Sequence, residues 1–158
     1  MGRDIHVKIL MKDEDSNTYR EIAPYAYDFE KCEFIDVSWR MSYCDRNYEL
    51  FEVLNSSDRL FYNRGVVADC PEVIKNFFKD LYDITYIDWC ELVMFAQTPG
   101  AMAIDDTADF DYDEKPVEEW PRKNVVQHWV DRLRVVLDMY EVYCPRPGDI
   151  IIQIGFDC

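Results

Sequence analysis

The sequence lacks every short motif that marks a common catalytic or nucleotide-binding centre. None of the patterns GxGxxG, GxxxxGK[ST], HExxH or GxSxG is present, and each of those patterns reflects chemistry that needs its residue types at that spacing. The chain also has only two histidines, His6 and His128. A metal centre rich in imidazole ligands is therefore excluded, and no local pattern supports a cysteine nucleophile.

Long apolar runs and paired cysteines are absent as well. No run approaches the ~20 apolar residues that cross a bilayer, and Asp4 interrupts the N-terminal stretch, so we expect neither a membrane span nor a signal peptide. No CxxC pair or zinc-ribbon spacing occurs, which argues against structural zinc. We therefore expect a cytoplasmic protein whose thiols are reduced and mostly serve as packing residues. The six cysteines are Cys32, Cys44, Cys70, Cys90, Cys144 and Cys158.

Positive charge is scarce. The chain has 17 Lys and Arg against 32 Asp and Glu, which gives a net charge of −15. Direct binding to a nucleic acid is disfavoured, because such binding depends on cations that release counterions from phosphates. The negative electrostatic potential of such a protein attracts basic protein surfaces, including nucleic-acid-binding grooves. The alternative is that the acidity only confers solubility.

Apolar residues, in contrast, are plentiful. They make up 49% of the 158 residues, and aromatic residues make up 15%. A chain of this length buries about 70% of the surface that it exposes when unfolded, and no internal repeat divides it. The composition predicts one folded domain over residues 1–158.

Three stretches near the N-terminus have the character of strands. Residues 4–12 alternate between apolar and polar side chains, which predicts a half-buried strand. Residues 18–23 follow a turn-forming stretch and can return as its partner. Residues 31–39 predict another strand, with Cys32 and Phe34 facing inward.

Helical spacing begins after Asp45. It predicts helices over residues 48–55, 71–82, 91–97 and 122–143. Asp69 and Asp88 are each followed three residues later by Glu, which is the arrangement of a capping box. Pro121 suits the first turn of the last helix.

The final stretch, residues 149–156, is too uniformly apolar for an exposed sheet edge. We therefore predict an α+β fold with an antiparallel or mixed sheet, in which the N-terminal and C-terminal strands are central. The helices are expected to pack over one face of this sheet. Residues 105–119 are expected to form a loop or flexible arm.

The first strand suggests one candidate site. Asp4, His6 and Lys8 share the polar face of this strand, and Asp157 lies near them if the two terminal strands pair. Two carboxylates and an imidazole can bind a divalent metal or act as an acid/base pair. The alternative is an ordinary solvated strand face. We expect no cofactor, apart from a divalent metal at Asp4, His6 and Asp157 if this site is functional.

A second candidate is the stretch DRNYELF, residues 45–51. Arg46 can grip a carboxylate or phosphate through two hydrogen bonds, with Asn47 and Tyr48 beside it. The alternative is a capped helix start whose arginine pairs with a nearby acid.

The third candidate is the acidic stretch, which has eight acids in the fifteen residues 105–119. It is not a calcium loop, because Glu114 stands where the sharp turn needs glycine and Trp120 where the bidentate glutamate belongs. Its acids, interleaved with Phe110 and Tyr112, either imitate a phosphate backbone toward a basic groove or form a solvated loop. The candidate binding residues are Asp105, Asp106, Asp109, Asp111, Asp113 and Glu114.

The start MGRDIH, the stretch DRNYELF and the end IIQIGFDC resemble a family of small, mostly phage-encoded proteins. That family opens MGxDIH, has RNYxLF in its middle and closes on an apolar strand ending in Phe-Asp. The resemblance implies a phage or prophage product in a bacterial cytoplasm, and it implies no reaction. The residues at the family's motif positions are Asp4, His6, Arg46, Asn47, Tyr48, Phe51 and Asp157.

The chain departs from the family at one place. Many members have a His-Ser-type stretch before the helix that begins here near Asp88, whereas this chain reads DITYID. If those histidines serve a site in the relatives, that site is missing here. The departure favours a binding role over an enzymatic one.

These observations lead to three functional hypotheses. The first is a small acidic accessory protein that binds a basic host protein and, in its concrete form, inhibits a nucleic-acid-handling defence effector, as anti-CRISPR-like or DNA-mimic-like proteins do. The second is an enzyme or ligand-binding module with Asp4, His6, Asp157 and Arg46 around a metal or a phosphate ester. The third is a structural or self-associating protein, suggested by the aromatic residues of PYAYDF.

Overall fold

A computed structural model describes residues 4–36, 48–56 and 61–157. The strands in the described residues are β1 (Ile5–Lys12), β2 (Tyr19–Glu21), β3 (Tyr25–Asp28), β4 (Glu33–Asp36), β5 (Tyr82–Asp88), β6 (Met102–Ile104), β7 (Arg122–Asn124) and β8 (Ile150–Phe156). The helices are α1 (Tyr48–Leu54), α2 (Glu72–Phe78), α3 (Trp89–Phe95) and α4 (Val125–Met139). None of the described helices is both long enough and apolar enough to cross a membrane.

The main sheet is antiparallel, with the strand order β2-β1-β8-β5. β1 and β8 pair along their length, from Ile5 opposite Phe156 to Met11 opposite Ile150. The α+β class and the central position of the two terminal strands are therefore confirmed. Two small sheets, β3-β4 and β6-β7, lie outside the main one.

β8 is apolar except for Gln153, and both of its faces are covered. All seven of its residues are buried. Side chains alternate between the two faces of a strand, so Ile152 and Ile154 join the larger core cluster while Ile151 joins a second cluster on the opposite face. Residue-by-residue burial of this kind is typical of an interior strand.

The larger core lies between the sheet and the helices α1, α3 and α4. Trp129, Leu133 and Leu137 of α4 are at most 2% exposed. Burying an apolar side chain of this size stabilises a fold by about 1.5–3 kcal/mol. The strong helical spacing of residues 122–143 thus reflects a real buried stripe.

The helix α2 lies on the other face of the sheet. Its Ile74 and Phe78 pack with Leu10 and Ile151, so the α-helices of the described residues lie on two faces, three on one and α2 on the other. Gly155 permits this approach, because a Cβ atom there would lie 3.0 Å from Phe78. The expected packing over one face holds for α1, α3 and α4 only.

One of the two predicted helix caps is present. The Asp88 carboxylate accepts a hydrogen bond from the Cys90 N–H at 2.8 Å at the start of α3. The predicted cap at Asp69 is wrong: α2 begins after Pro71 with no side-chain cap. Asp69 instead takes a left-handed backbone with φ of 62°, which acidic residues tolerate in turns.

The last helix starts later than predicted. Pro121 does not lie in its first turn, because residues 122–124 form the strand β7. Asn124 caps α4 by accepting a hydrogen bond from the Gln127 N–H at 2.8 Å. The helical spacing correctly predicted the helix, but the residues directly before Val125 pair with β6 and form a strand.

The strand prediction for residues 31–39 was right in type and wrong in orientation. Residues 33–36 form β4, yet Phe34 is 67% exposed and Cys32 is exposed in the turn with φ of 54°. The reason is that β4 pairs with β3 in a separate hairpin. It does not join the main sheet, so its apolar face does not meet the core.

The cysteines differ in their surroundings. Cys70 is buried in the smaller core cluster and fits the expected packing role, and Cys90 is half-buried. Burial raises the pKa of both thiols, which lowers their reactivity. Cys32 and Cys144 are exposed, so packing does not account for them. Cys44 and Cys158 lie outside the described residues.

Candidate functional site

The pairing of β1 with β8 brings the first candidate residues together. His6 Nε2 lies 2.7 Å from Asp157 Oδ2. The other oxygen of Asp157 accepts a hydrogen bond from the Asp4 N–H at 3.1 Å, and the Asp157 N–H donates to the Asp4 carbonyl at 3.1 Å. The predicted proximity is thus present, although Asp4 meets Asp157 through its backbone in these contacts.

The His6–Asp157 pair lies on the α2 side of the sheet. The ring of Phe77 stands edge-on to His6 with centroids 6.0 Å apart. Lys8 Nζ lies 4.5 Å from the Phe77 ring centroid and 3.1 Å from a Glu21 carboxylate oxygen. A carboxylate that orients an imidazole in this way can serve acid/base chemistry.

The same geometry has a structural explanation. The side chains of His6 and Asp157 are 29% and 41% exposed, and their contact ties the first strand to the last. Within the described parts of the chain, no group of three His, Cys, Asp or Glu side chains is placed to hold a metal ion. What His6 and Asp157 form is thus an imidazole held in one orientation by a carboxylate.

The second candidate is described only in part. Arg46 and Asn47 lie outside the described residues. Tyr48 opens α1, is 50% exposed, and lies edge-on to Phe51 at 5.8 Å. Phe51 in turn contacts Phe156 at 5.8 Å, so this part of DRNYELF packs α1 against the last strand.

The acidic stretch forms an ordered connection between β6 and β7. We define the acidic loop as residues 105–119. At its start, the Asp105 N–H donates to the Pro121 carbonyl at 2.8 Å, which closes the base of the loop. The Thr107 hydroxyl donates to the Asp105 carboxylate at 2.6 Å and lowers its pKa. Asp105 is thus held in its charged form by the turn that it starts.

A small aromatic cluster supports this loop from within. Tyr112 lies edge-on to Phe110 and to Trp120, with centroids 5.3 Å apart in both pairs. The Trp120 indole N–H donates to the Lys115 carbonyl at 2.9 Å. Of the two expectations for residues 105–119, a loop or a flexible arm, these contacts fit the loop. The exposed acids on it are Asp106, Asp109, Asp111, Asp113, Glu114, Glu118 and Glu119.

One lysine joins the acidic loop to α1. Lys123 Nζ lies 2.8 Å from Glu49, 3.7 Å from Asp105 and 3.9 Å from Asp106, measured to carboxylate oxygens. The hydrogen bond to Glu49 raises the pKa of Lys123. A single ammonium thus neutralises part of a cluster of carboxylates.

The pKa of Glu49 is also raised, and burial is the main cause. Lys123 lowers it and Asp106 raises it. The two raised values in one ion pair look contradictory, since the lysine prefers the charged state and the glutamate does not. Desolvation explains the difference, because it disfavours the charge on Glu49 more than the shared lysine can offset.

A cavity of about 560 Å³ opens beside this cluster. Its lining includes Glu49 and Glu52 of α1, Asp106 of the acidic loop, and Met102. The sequence analysis missed the contribution of α1 to the acidic surface. No local pattern indicates it, because the two acids meet the loop only through tertiary packing.

Sequence analysis also missed a buried polar network on β8. Gln153 is fully buried. Its side-chain oxygen accepts from the Val67 N–H at 3.0 Å, and its amide nitrogen donates to the carbonyls of Gly65 and Thr85 at 3.0 and 2.8 Å. All of these groups are satisfied, so the network fixes the loop before α2 against the sheet.

The β3–β4 hairpin presents aromatic rings at the surface. Phe29 is 85% exposed, Phe34 is 67% exposed, and Tyr27 is 42% exposed. Tyr27 and Phe34 are directly opposite in the register of the two strands. The sequence analysis noted the aromatics of PYAYDF but placed Phe34 in the core, which the hairpin pairing corrects.

Comparison with known proteins adds no relative: no family model, curated protein or solved structure matches this chain. The surface of the described residues is therefore the basis for assigning a function. Its main features are the oriented imidazole of His6, the acidic loop with α1, and the aromatic hairpin.

Proposed function

We propose that the protein is a small acidic accessory protein of the phage type that binds a basic, nucleic-acid-handling protein of its host. The observation that most supports this proposal is the ordered acidic loop, whose aromatic cluster holds the carboxylates in place at the surface. The net charge of −15 gives the whole molecule a negative electrostatic potential, which attracts a positively charged partner.

Order in the loop matters for affinity. A flexible acidic tail must lose conformational freedom on binding, whereas a loop that is already folded avoids much of that cost. Long-range attraction then raises the association rate with a positively charged surface. A groove built to bind phosphates is such a surface, so inhibition of a host defence effector by imitation of DNA is the concrete form of the proposal.

The test is retention of a binding partner on the immobilised protein at low and at high salt. The test variant replaces Asp106, Asp109, Asp111 and Asp113 with Asn. The control variant removes the same charge elsewhere, through Glu14→Gln, Asp15→Asn, Asp80→Asn and Asp138→Asn. We expect the test variant to lose the salt-sensitive partner and the control variant to keep it.

Competition with duplex DNA then tests the imitation of a phosphate backbone. If the partner binds this protein through its nucleic-acid groove, added duplex DNA should displace it from the column. Recovery of no basic protein at low salt, or equal recovery by both variants, would contradict the proposal.

A second candidate function is supported by the 2.7 Å contact between His6 and Asp157. In this candidate, Asp4, His6 and Asp157, with Arg46, bind a divalent metal or a phosphate ester. Calorimetric titration with Mn²⁺ and a phosphate-monoester hydrolysis assay, each compared with His6→Ala, test it. Heat of binding or turnover that is lost in His6→Ala would favour this candidate over the first.

A further inference from the structure

The β3–β4 hairpin carries a group of exposed rings, the hairpin cluster, which we define as Tyr25, Tyr27, Phe29 and Phe34. Neighbouring rings stand edge to face, with centroid distances of 5.0 to 5.5 Å. Their exposed fractions run from 39% for Tyr25 to 85% for Phe29. A contiguous aromatic group at a surface usually marks a contact site, whereas single exposed aromatics do not.

The hairpin register explains why these rings face outward together. Tyr27 is opposite Phe34, and Tyr25 lies two residues before Tyr27 on the same face. The two-stranded sheet pairs only within itself among the described strands. The Tyr25 ring also contacts Tyr140, whereas Tyr27, Phe29 and Phe34 are left 42% to 85% exposed.

The hairpin is held in shape at both ends. At its base, the Tyr140 hydroxyl donates to the Ala23 carbonyl at 2.6 Å, and the rings of Tyr25 and Tyr140 lie 6.0 Å apart. At its turn, the Asp28 carboxylate accepts from the N–H groups of Glu30 and Lys31 at 2.9 and 3.1 Å. The cluster is thus arranged before any partner arrives, which reduces the entropy lost on binding.

Two carboxylates accompany the rings. Asp36 is directly opposite Tyr25 in the register and therefore lies on the ring face, and the exposed Glu30 follows Phe29 in the turn. A cation over an aromatic face is stabilised by the ring quadrupole, and a nearby carboxylate adds a charged hydrogen bond. Arginine suits both contacts, because its flat guanidinium stacks on rings and binds carboxylates through two hydrogen bonds.

A second copy of this chain is a poor occupant. Two hairpins facing each other would bring like charges together, and each whole chain has a net charge of −15. An arginine-rich segment matches both the rings and the carboxylates.

We propose that the hairpin cluster is a docking surface for an arginine-rich segment of a basic partner protein. This inference rests on the proposed function and adds to it: the acidic loop attracts the partner, and the hairpin cluster selects guanidinium over ammonium. The rings then act as the apolar anchors that dominate binding energy in many interfaces.

The experiment measures binding of two labelled peptides to the full chain by fluorescence anisotropy. The peptides are alternating Arg-Ala and alternating Lys-Ala sequences of equal length and equal charge. We expect the arginine peptide to bind more tightly, and the double variant Phe29→Leu/Phe34→Leu to reduce this preference by about fivefold. Tyr143→Leu is the matched control, because Tyr143 is 66% exposed and lies outside the cluster.

Two further variants separate charge from stacking. Glu30→Gln/Asp36→Asn keeps the rings and should weaken both peptides, with the larger loss for arginine. The variant with four Asp→Asn changes in the acidic loop should weaken both peptides equally and leave their ratio unchanged. Thermal melting checks that each variant folds, and Phe29→Leu alone repeats the ring test at the most exposed position.

The outcomes distinguish the two proposals. If the Phe variants keep the arginine preference while the loop variant weakens binding, the docking inference is wrong and the proposed function stands. If the preference falls with the Phe variants while the loop variant binds as before, the docking inference holds and the role of the acidic loop is wrong. A dimer in sedimentation that Phe29→Leu/Phe34→Leu dissociates would overturn the docking inference in favour of self-association.

Discussion

His6 and Asp157 join the two ends of the chain, with Nε2 and Oδ2 2.7 Å apart across 151 positions of sequence. The antiparallel register places His6 opposite Gly155, so Asp157 follows directly on the same face of the sheet. The contact links the first and last strands whether or not it serves chemistry.

Asp157→Ala should destabilise the protein by about 1–2 kcal/mol at neutral pH, because it removes the acceptor for both the His6 ring and the Asp4 N–H. Asp157→Asn should cost less, since its amide oxygen can still accept from Asp4. Urea denaturation measures both values. Asp138→Ala, at an exposed position of α4, is the control, and an equal loss in the control would refute the role of this contact.

Gln153→Leu should cost about 2–4 kcal/mol. The leucine fits an apolar strand, but it leaves the Val67 N–H and the carbonyls of Gly65 and Thr85 without their partner in the core. Chemical denaturation gives the free energy of unfolding, with Gln97→Leu at an exposed position as the control. A stabilised Gln153→Leu variant would show that the network contributes nothing to stability.

Glu49→Gln should change how stability depends on pH. The pKa of Glu49 in the folded state is raised above its ordinary value of 4.5, so its contribution to stability is present below that pH and is lost as the pH rises through the folded-state pKa. Gln stays neutral and avoids this loss. The difference in unfolding free energy, Glu49→Gln minus wild type, should therefore increase as the pH rises from about 4.5 through the folded-state pKa of Glu49.

The control for this measurement is Glu52→Gln, at an exposed position of the same helix. This variant controls for the loss of one negative charge from α1. A Glu49→Gln difference that is flat or decreases with pH would contradict the raised folded-state pKa of Glu49.

Trp120→Ala should weaken binding to a basic peptide although it changes no charge. The substitution removes the ring that contacts Tyr112 and the hydrogen bond to the Lys115 carbonyl. The acidic loop of the variant is then less ordered before binding, and ordering it on binding costs free energy. We expect the lysine peptide to bind roughly threefold to tenfold more weakly. Tyr143→Ala is the control, and unchanged binding by Trp120→Ala would mean that loop order has no role.

Much of the framework was predictable from local patterns. The alternation in residues 4–12 and the uniform apolarity of residues 149–156 correctly indicated a half-buried strand and an interior strand. The spacing of Trp129, Leu133 and Leu137 correctly indicated the buried stripe of α4. These patterns are informative because the period of a helix or strand decides which of its side chains lie on the same face.

Other elements depended on contacts that no local pattern contains. The strand β5 was not predicted, because Tyr82–Asp88 mixes polar and apolar residues and forms a strand through its pairing with β8. Phe34 has the same apolar character as a core residue, and only the pairing of β4 with β3 turns it outward.

For the candidate sites, the residues alone established the kinds of groups available: a net charge of −15, a run of acids from 105 to 119, and Asp4 and His6 two positions apart. Tertiary structure decided which groups meet. It placed Asp157 against His6 and Lys123 between Glu49 and the acidic loop. Charge is a property of composition, whereas proximity between distant residues is set by strand register and helix packing across the whole chain.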